Sequence, residues 1–174
     1  MTALPIAAEA ALATVVVVAA ATDIHRRQIP NWLTLSGIAA GFLIHTSLYG
    51  WRGLKFAAFG FGLAALVFVP LFVMRWLGGG DVKLMAAVAA LAGAENLIVV
   101  FILDAVLGGV AALGLILLKG RFWRTLRNIP RMFSKERSPE LEAGSEQSLG
   151  LPRAVTIAAA SLILLWAINR APAP

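Results

Sequence analysis

Cysteine is absent from this 174-residue chain, and histidine occurs only as His25 and His45. The first absence excludes disulfides, cysteine nucleophiles and thiolate zinc sites together. The second excludes a histidine-rich metal centre. Charge is scarce as well: Asp, Glu, Lys and Arg make up 14% of the residues, against about 25% in a typical soluble domain. Hydrophobic residues reach 60%, where about 45–50% is usual. That balance defines an integral membrane protein. Its apolar runs are separated by short polar breaks, which makes it helical, because an open strand would leave backbone groups unpaired in lipid.

Six apolar segments stand out: residues 4–22, 32–49, 54–74, 82–94, 97–118 and 154–168. The fold class expected is therefore all-α, a polytopic bundle of six transmembrane helices forming one domain over residues 1–174. The first segment, "LPIAAEAALATVVVVAAAT", carries Glu9 and no Lys or Arg. It lacks the basic start of a secretory leader and is read as a retained helix. The fourth is short for a span, since thirteen residues cover roughly 20 Å of a core about 30 Å thick. Either that helix tilts beside a thinned bilayer, or the loop before it dips below the membrane surface. No internal repeat is present, so the inverted-repeat signature of many transporters is missing.

Positive charge orients the bundle. Breaks after segments one, three and five hold Arg26, Arg27, Arg75, Lys83, Lys119, Arg121, Arg124, Arg127, Arg131, Lys135, Arg137 and Arg153. The other breaks and the tails hold Arg52, Lys55 and Arg170. Twelve against three makes the first set cytoplasmic and both termini external. The formal charge of +6 is accordingly read as orientation and attraction to anionic lipid, not to nucleic acid. The long cytoplasmic break, about residues 119–153, begins with "RFWRTLRNIPRMFSKER". There Phe122, Trp123, Leu126, Ile129 and Phe133 recur at helical spacing between arginines, as in an amphipathic helix on a lipid surface, although Pro130 interrupts it. The following "SPELEAGSEQSLG" is small, acidic and polar, and reads as a linker.

Two aspartates thus fall at one membrane face. Asp23 follows the first segment in "DIHRRQIPNWL", where Pro30 pre-sets a turn and Asn31 can cap the next helix. Asp81 precedes the fourth in "GGGDVKL". An aspartate deep in a membrane helix costs about 2.5–3.5 kcal/mol on insertion scales, so it usually faces protein or water. Two such carboxyls invite comparison with an aspartic protease. One ionised carboxylate takes a proton from water while a protonated partner polarises the peptide carbonyl, and the close pair shares a proton. Gly78, Gly79 and Gly80 allow unusual dihedrals and close backbone approach, as an extended substrate requires. Plainer readings stand beside these. Asp81 can be an N-cap, and Asp23 an interfacial anion paired with Arg26 or Arg27.

Taken together, "DIHRRQIPN" and "GGGDVKL" resemble the type IV prepilin leader peptidases, membrane aspartic proteases of the GxGD class. The likeness is closest to the short form associated with Flp (Tad-type) pili. It implies that Asp23 and Asp81 are the catalytic pair, that Gly78 and Gly80 are the motif glycines flanking Gly79, and that Lys83 belongs to the pattern. It further implies prepilin as partner and substrate, cut at the cytoplasmic face of the bacterial inner membrane after a glycine ending a short basic leader. No metal or cofactor is required. Longer members have an N-terminal extension, often with paired cysteines, and also methylate the new terminus. This chain opens on its first apolar segment without cysteine, so methyltransferase activity is not expected.

Other polar residues receive structural roles. Asp104, in "FILDAVLGG", can relay protons or bind an ion, and can equally be a hydrogen-bonded helix-packing residue, which is the reading taken. Glu9 and Glu95 belong near the outer surface. His25, two residues from Asp23, turns to another helix face, and His45 reads as a packed or interfacial side chain. Tryptophans 32, 51, 76, 123 and 166 fall near segment ends, as in an aromatic belt. The alternative function is a small transporter or ion-binding protein using Asp23, Asp81 and Asp104. Its acids should cluster toward the bilayer middle, whereas two of these three lie at one rim.

Overall fold

The computed structural model describes residues 4–118 and 153–170. These form four helices: α1 (Ile6–Arg26), α2 (Asn31–Val73), α3 (Gly79–Leu118) and α4 (Arg153–Arg170), with no strand among the described residues. Each contains a stretch long and apolar enough to cross a membrane. The basic amphipathic stretch and the polar linker expected within residues 119–153 lie outside the described residues, apart from Arg153 itself. The chain divides into two compact units, Met1–Ala105 with Pro152–Pro174, and Val106–Leu151.

Two of the four helices are broken by glycine. α2 has 43 residues, and unbroken it would run roughly 65 Å, twice a bilayer core. It bends instead at Gly50, where φ is 56° and ψ is −134°. α3 bends at Gly93, with φ 81° and ψ 172°, a region essentially confined to glycine. Across Gly50 the chain reverses. Phe42 meets Phe61 and His45 meets Phe56, with ring centroids 6.1 and 4.7 Å apart, an antiparallel pairing. Across Gly93 it reverses again. Along the second half of α2, Phe72 lies by Gly79 and Phe56 by Gly93, yet Phe101 returns to meet Phe68 with ring centroids 5.3 Å apart. The six apolar segments therefore reappear as α1, the two halves of α2, the two halves of α3, and α4.

Helix ends differ from the apolar boundaries. α1 continues through Arg26, so Asp23 lies inside its last turn and not beyond it. α3 starts at Gly79, so Asp81 lies inside its first turn and not before it. Hydropathy marks where lipid begins, whereas backbone hydrogen bonding carries a helix on into the polar interface. α2 likewise begins at Asn31 with Pro30 as its N-cap and no side-chain cap. Asn31 instead accepts a hydrogen bond from Lys83, which corrects its expected capping role.

The first half of α3 is the centre of the first unit. Residues 84–93 are all buried. Their small side chains admit close neighbours: a Cβ on Gly41 would stand 2.6 Å from the Ala90 carbonyl carbon, and one on Gly37 3.1 Å from the Ala87 Cβ. His45 is buried and its Nε2 lies 2.9 Å from the Leu91 carbonyl oxygen, which the end of this half-helix leaves without an intrahelical donor. α1 runs antiparallel to α4, with Asp23 meeting Ala154 at one end and Glu9 meeting Asn169 at the other. Leu35, Leu43, Phe59 and Leu66 are exposed, as suits a surface in lipid. In the second unit the described part is the continuing α3 helix, residues 106–118, which exposes Val106, Val110 and Leu113.

Candidate active site

Asp23 and Asp81 converge on two consecutive residues, Arg153 and Ala154, at the start of α4. Asp23 is held by the end of α1, where its own carbonyl accepts the Arg27 N–H at 2.8 Å and Arg27 closes the helix at φ 50°. The Asp23 carboxylate Oδ2 accepts the Ala154 N–H at 3.0 Å. A helix start leaves four such N–H groups without intrahelical partners, and Asp23 supplies one from another helix. The α4 dipole favours negative charge at that position.

Asp81 occupies the third position of α3, and its carboxyl is hydrogen-bonded to the Gly78 backbone. This is the reach-back half of a capping box, in which an acid at the third helical residue satisfies the donor just before the helix. The Asp81 side chain is 12% exposed, and its Oδ2 lies 3.7 Å from Arg153 Nη1. The same guanidinium nitrogen is 3.4 Å from the Trp76 carbonyl oxygen. Trp76 is set by the closing turn of α2, where Trp76 N–H donates to Leu71 and Arg75 N–H to Phe72, both at 2.9 Å. With Arg75 at φ 60°, this is a Schellman closure built without glycine.

Electrostatics make one cluster of these groups: the charges of Arg153, Asp23 and Asp104 all act on Asp81. Asp104 lies near Thr156 of α4, and its Oδ1 is buried without a hydrogen-bond partner among the described residues. No group of three potential metal ligands occurs among the described residues.

The expected glycine dihedrals are not used. None of Gly78, Gly79 and Gly80 has positive φ; the glycines that do, among the described residues, are Gly50 and Gly93. The expected close backbone approach is also not seen, since added Cβ atoms would meet side chains at near-ordinary contact distance. A Cβ on Gly78 would lie 3.4 Å from Asp81 Oδ2, one on Gly79 3.3 Å from the Phe72 ring, and one on Gly80 3.4 Å from Ile29. Gly80 against Ile29, together with Lys83 Nζ donating to Asn31 Oδ1 at 2.9 Å, brings the two sequence motifs into direct contact. Lys83 is thus a strut between α3 and α2. Arg153 and Thr156 were not singled out as site residues from sequence, because a single arginine before an apolar run looks like any positive flank. His25 is exposed and stays apart from the cluster's hydrogen bonds.

Fold and site together define a helical membrane protein with two carboxyls gathered around one helix start. Residues 10–113 match the model of the type IV leader peptidase family, so the chain belongs to that family and is a membrane peptidase, a hydrolase. No curated protein and no solved structure gives a significant match.

Proposed function

We propose that this peptidase is an aspartic endopeptidase that removes the leader from prepilins of the Flp (Tad) type at the cytoplasmic face of the bacterial inner membrane. Asp23 and Asp81 are the catalytic pair. In the working state one carboxylate accepts a proton from water as that water attacks the scissile carbonyl carbon. The other, protonated, donates a hydrogen bond to the carbonyl oxygen as charge develops there. Proton return to the departing amine completes hydrolysis. Two like charges at short range cannot both ionise cheaply, which favours a state with one proton between them. Because the bundle reverses at Gly50 and Gly93, we read six crossings in one peptidase domain. The twelve-to-three bias of Lys and Arg supports a topology with both acids inside and both termini outside. The Gly78–Gly80 stretch lies where an extended substrate would pass, and the chain has no cysteine for the paired-cysteine region associated with methylating members. We therefore assign peptidase activity without methyl transfer.

One observation carries this reading: the Asp23 carboxylate binds Ala154 while the Asp81 carboxyl faces Arg153, its immediate neighbour. Carboxyls of a transport path would be strung along the bilayer normal. The test is maturation of a co-expressed Flp-type prepilin followed by gel shift. Asp23→Asn and Asp81→Asn should each abolish cleavage, and normal maturation by either folded variant would remove the mechanism.

A further inference from the structure

α4 lies wholly beyond the stretch that matches the family model, which ends at residue 113. Yet both proposed catalytic acids make their inter-helix polar contacts with its first two residues. We propose that Arg153 is a positioning residue for the Asp81 carboxyl, and that the first turn of α4 is the common holder of the two acids. The inference rests on the catalytic assignment made above.

A carboxyl as enclosed as Asp81 is costly to keep charged without partners. The Gly78 backbone supplies one, and Arg153 supplies the opposite charge. The cation nearest in sequence, Lys83, is turned to Asn31 instead. Arg153 stands 3.7 Å from the Asp81 carboxyl while the adjoining Ala154 N–H holds Asp23. A single guanidinium at that point screens the acids from one another, so that they can stand close without being driven apart. Its own place is set twice, by its position at the start of the α4 backbone and by the Trp76 carbonyl. The Arg153 side chain is 58% exposed, so it contributes little to packing. Its effect on carboxyl position is therefore separable from the fold.

The experiment uses the full chain purified in detergent with a prepilin substrate, and measures kcat and KM separately. Arg153→Gln should lower kcat by about 10–100-fold, the range expected when a reacting group is displaced by about 1 Å, with KM nearly unchanged. Arg153→Lys, which keeps the charge, should recover most of that loss. Thermal unfolding is measured beside it. If Arg153→Gln also loses its fold, the lysine variant decides, its recovery supporting the role and an equal loss overturning it. A folded Arg153→Gln with wild-type kcat refutes the positioning role while Asp81→Asn remains inactive and the peptidase assignment stands. Cleavage by Asp81→Asn overturns both.

Discussion

Under the proposed mechanism Asp23 has two separable duties, acid chemistry and closure of the α4 start, and paired substitutions can pull them apart. In Asp23→Asn the amide oxygen still accepts the Ala154 N–H now bound at 3.0 Å by Oδ2. What is lost for stability is the interaction of full charge with the α4 dipole, about 0.3–1 kcal/mol. In Asp23→Ala the acceptor itself disappears, and losing a helix cap costs about 0.5–2 kcal/mol. For a chain of this size about 1 kcal/mol moves the melting temperature by roughly 2–4 °C, so wild type, Asn and Ala should melt in descending order with small steps. Activity should follow another pattern. Both variants lose a group that exchanges a proton with the reacting water, a contribution of about 10²–10⁴-fold at least, so both should look equally inactive on a maturation gel. Circular dichroism melts in detergent and prepilin cleavage on the same preparations read the two duties independently. The reasoning fails if activity follows melting temperature, with Asn nearly active and Ala dead. Asp23 would then be a structural cap alone.

Gly93→Ala meets both a glycine-only backbone, worth about 1–3 kcal/mol, and the Phe56 ring, an overpacking of similar size. Its unfolding midpoint should drop by several degrees, and a midpoint equal to wild type would mean that the α3 break does not need glycine. The chain has no cysteine, so single cysteines report sidedness cleanly. Arg26→Cys should react with an impermeant maleimide only from the cytoplasmic side and Arg52→Cys only from outside, and the reverse pattern would invert the proposed topology. Asp104→Asn keeps the side-chain shape at this buried position and should cleave prepilin at close to the wild-type rate. A loss of order 10²-fold or more in a folded variant would instead place Asp104 in the chemistry.

The helical membrane class was legible because apolar length and polar punctuation are read directly from composition, and the bends fall at Gly50 and Gly93 within two or three residues of the predicted breaks. The convergence of Asp23 and Asp81 at one end was legible too, through the charge bias alone. Less visible were the helix ends. α1 and α2 close on Arg27 and Arg75 in left-handed geometry, where sequence rules look for glycine, while the nearby glycines at 78–80 do not take it. Arg153 could not be singled out by any local rule. Its place beside Asp81 comes from the return of α4 alongside α1, a tertiary pairing between residues 131 positions apart. Lys83 is the opposite case: two residues from Asp81 in sequence, it faces Asn31 in space because helical residues two apart diverge by about 200°.

The two acids are reached by different kinds of structure, and this bears on how the site is built. Asp81 has a local anchor, the Gly78 backbone three residues before it, in addition to its contact with Arg153 of α4. Asp23 is anchored remotely, by an N–H of α4, and its place exists only once α1 and α4 have paired along their length from Glu9–Asn169 to Asp23–Ala154. The direct contacts between the two motifs, Gly80 with Ile29 and Lys83 with Asn31, bring the start of α3 to the loop after α1 without touching either carboxyl. A pair of acids held by one shared helix start keeps its relative position whenever that start moves as a unit. An acid pair held by two independent loops would not. That is why a residue as exposed as Arg153 can matter to chemistry while mattering little to the stability of the bundle.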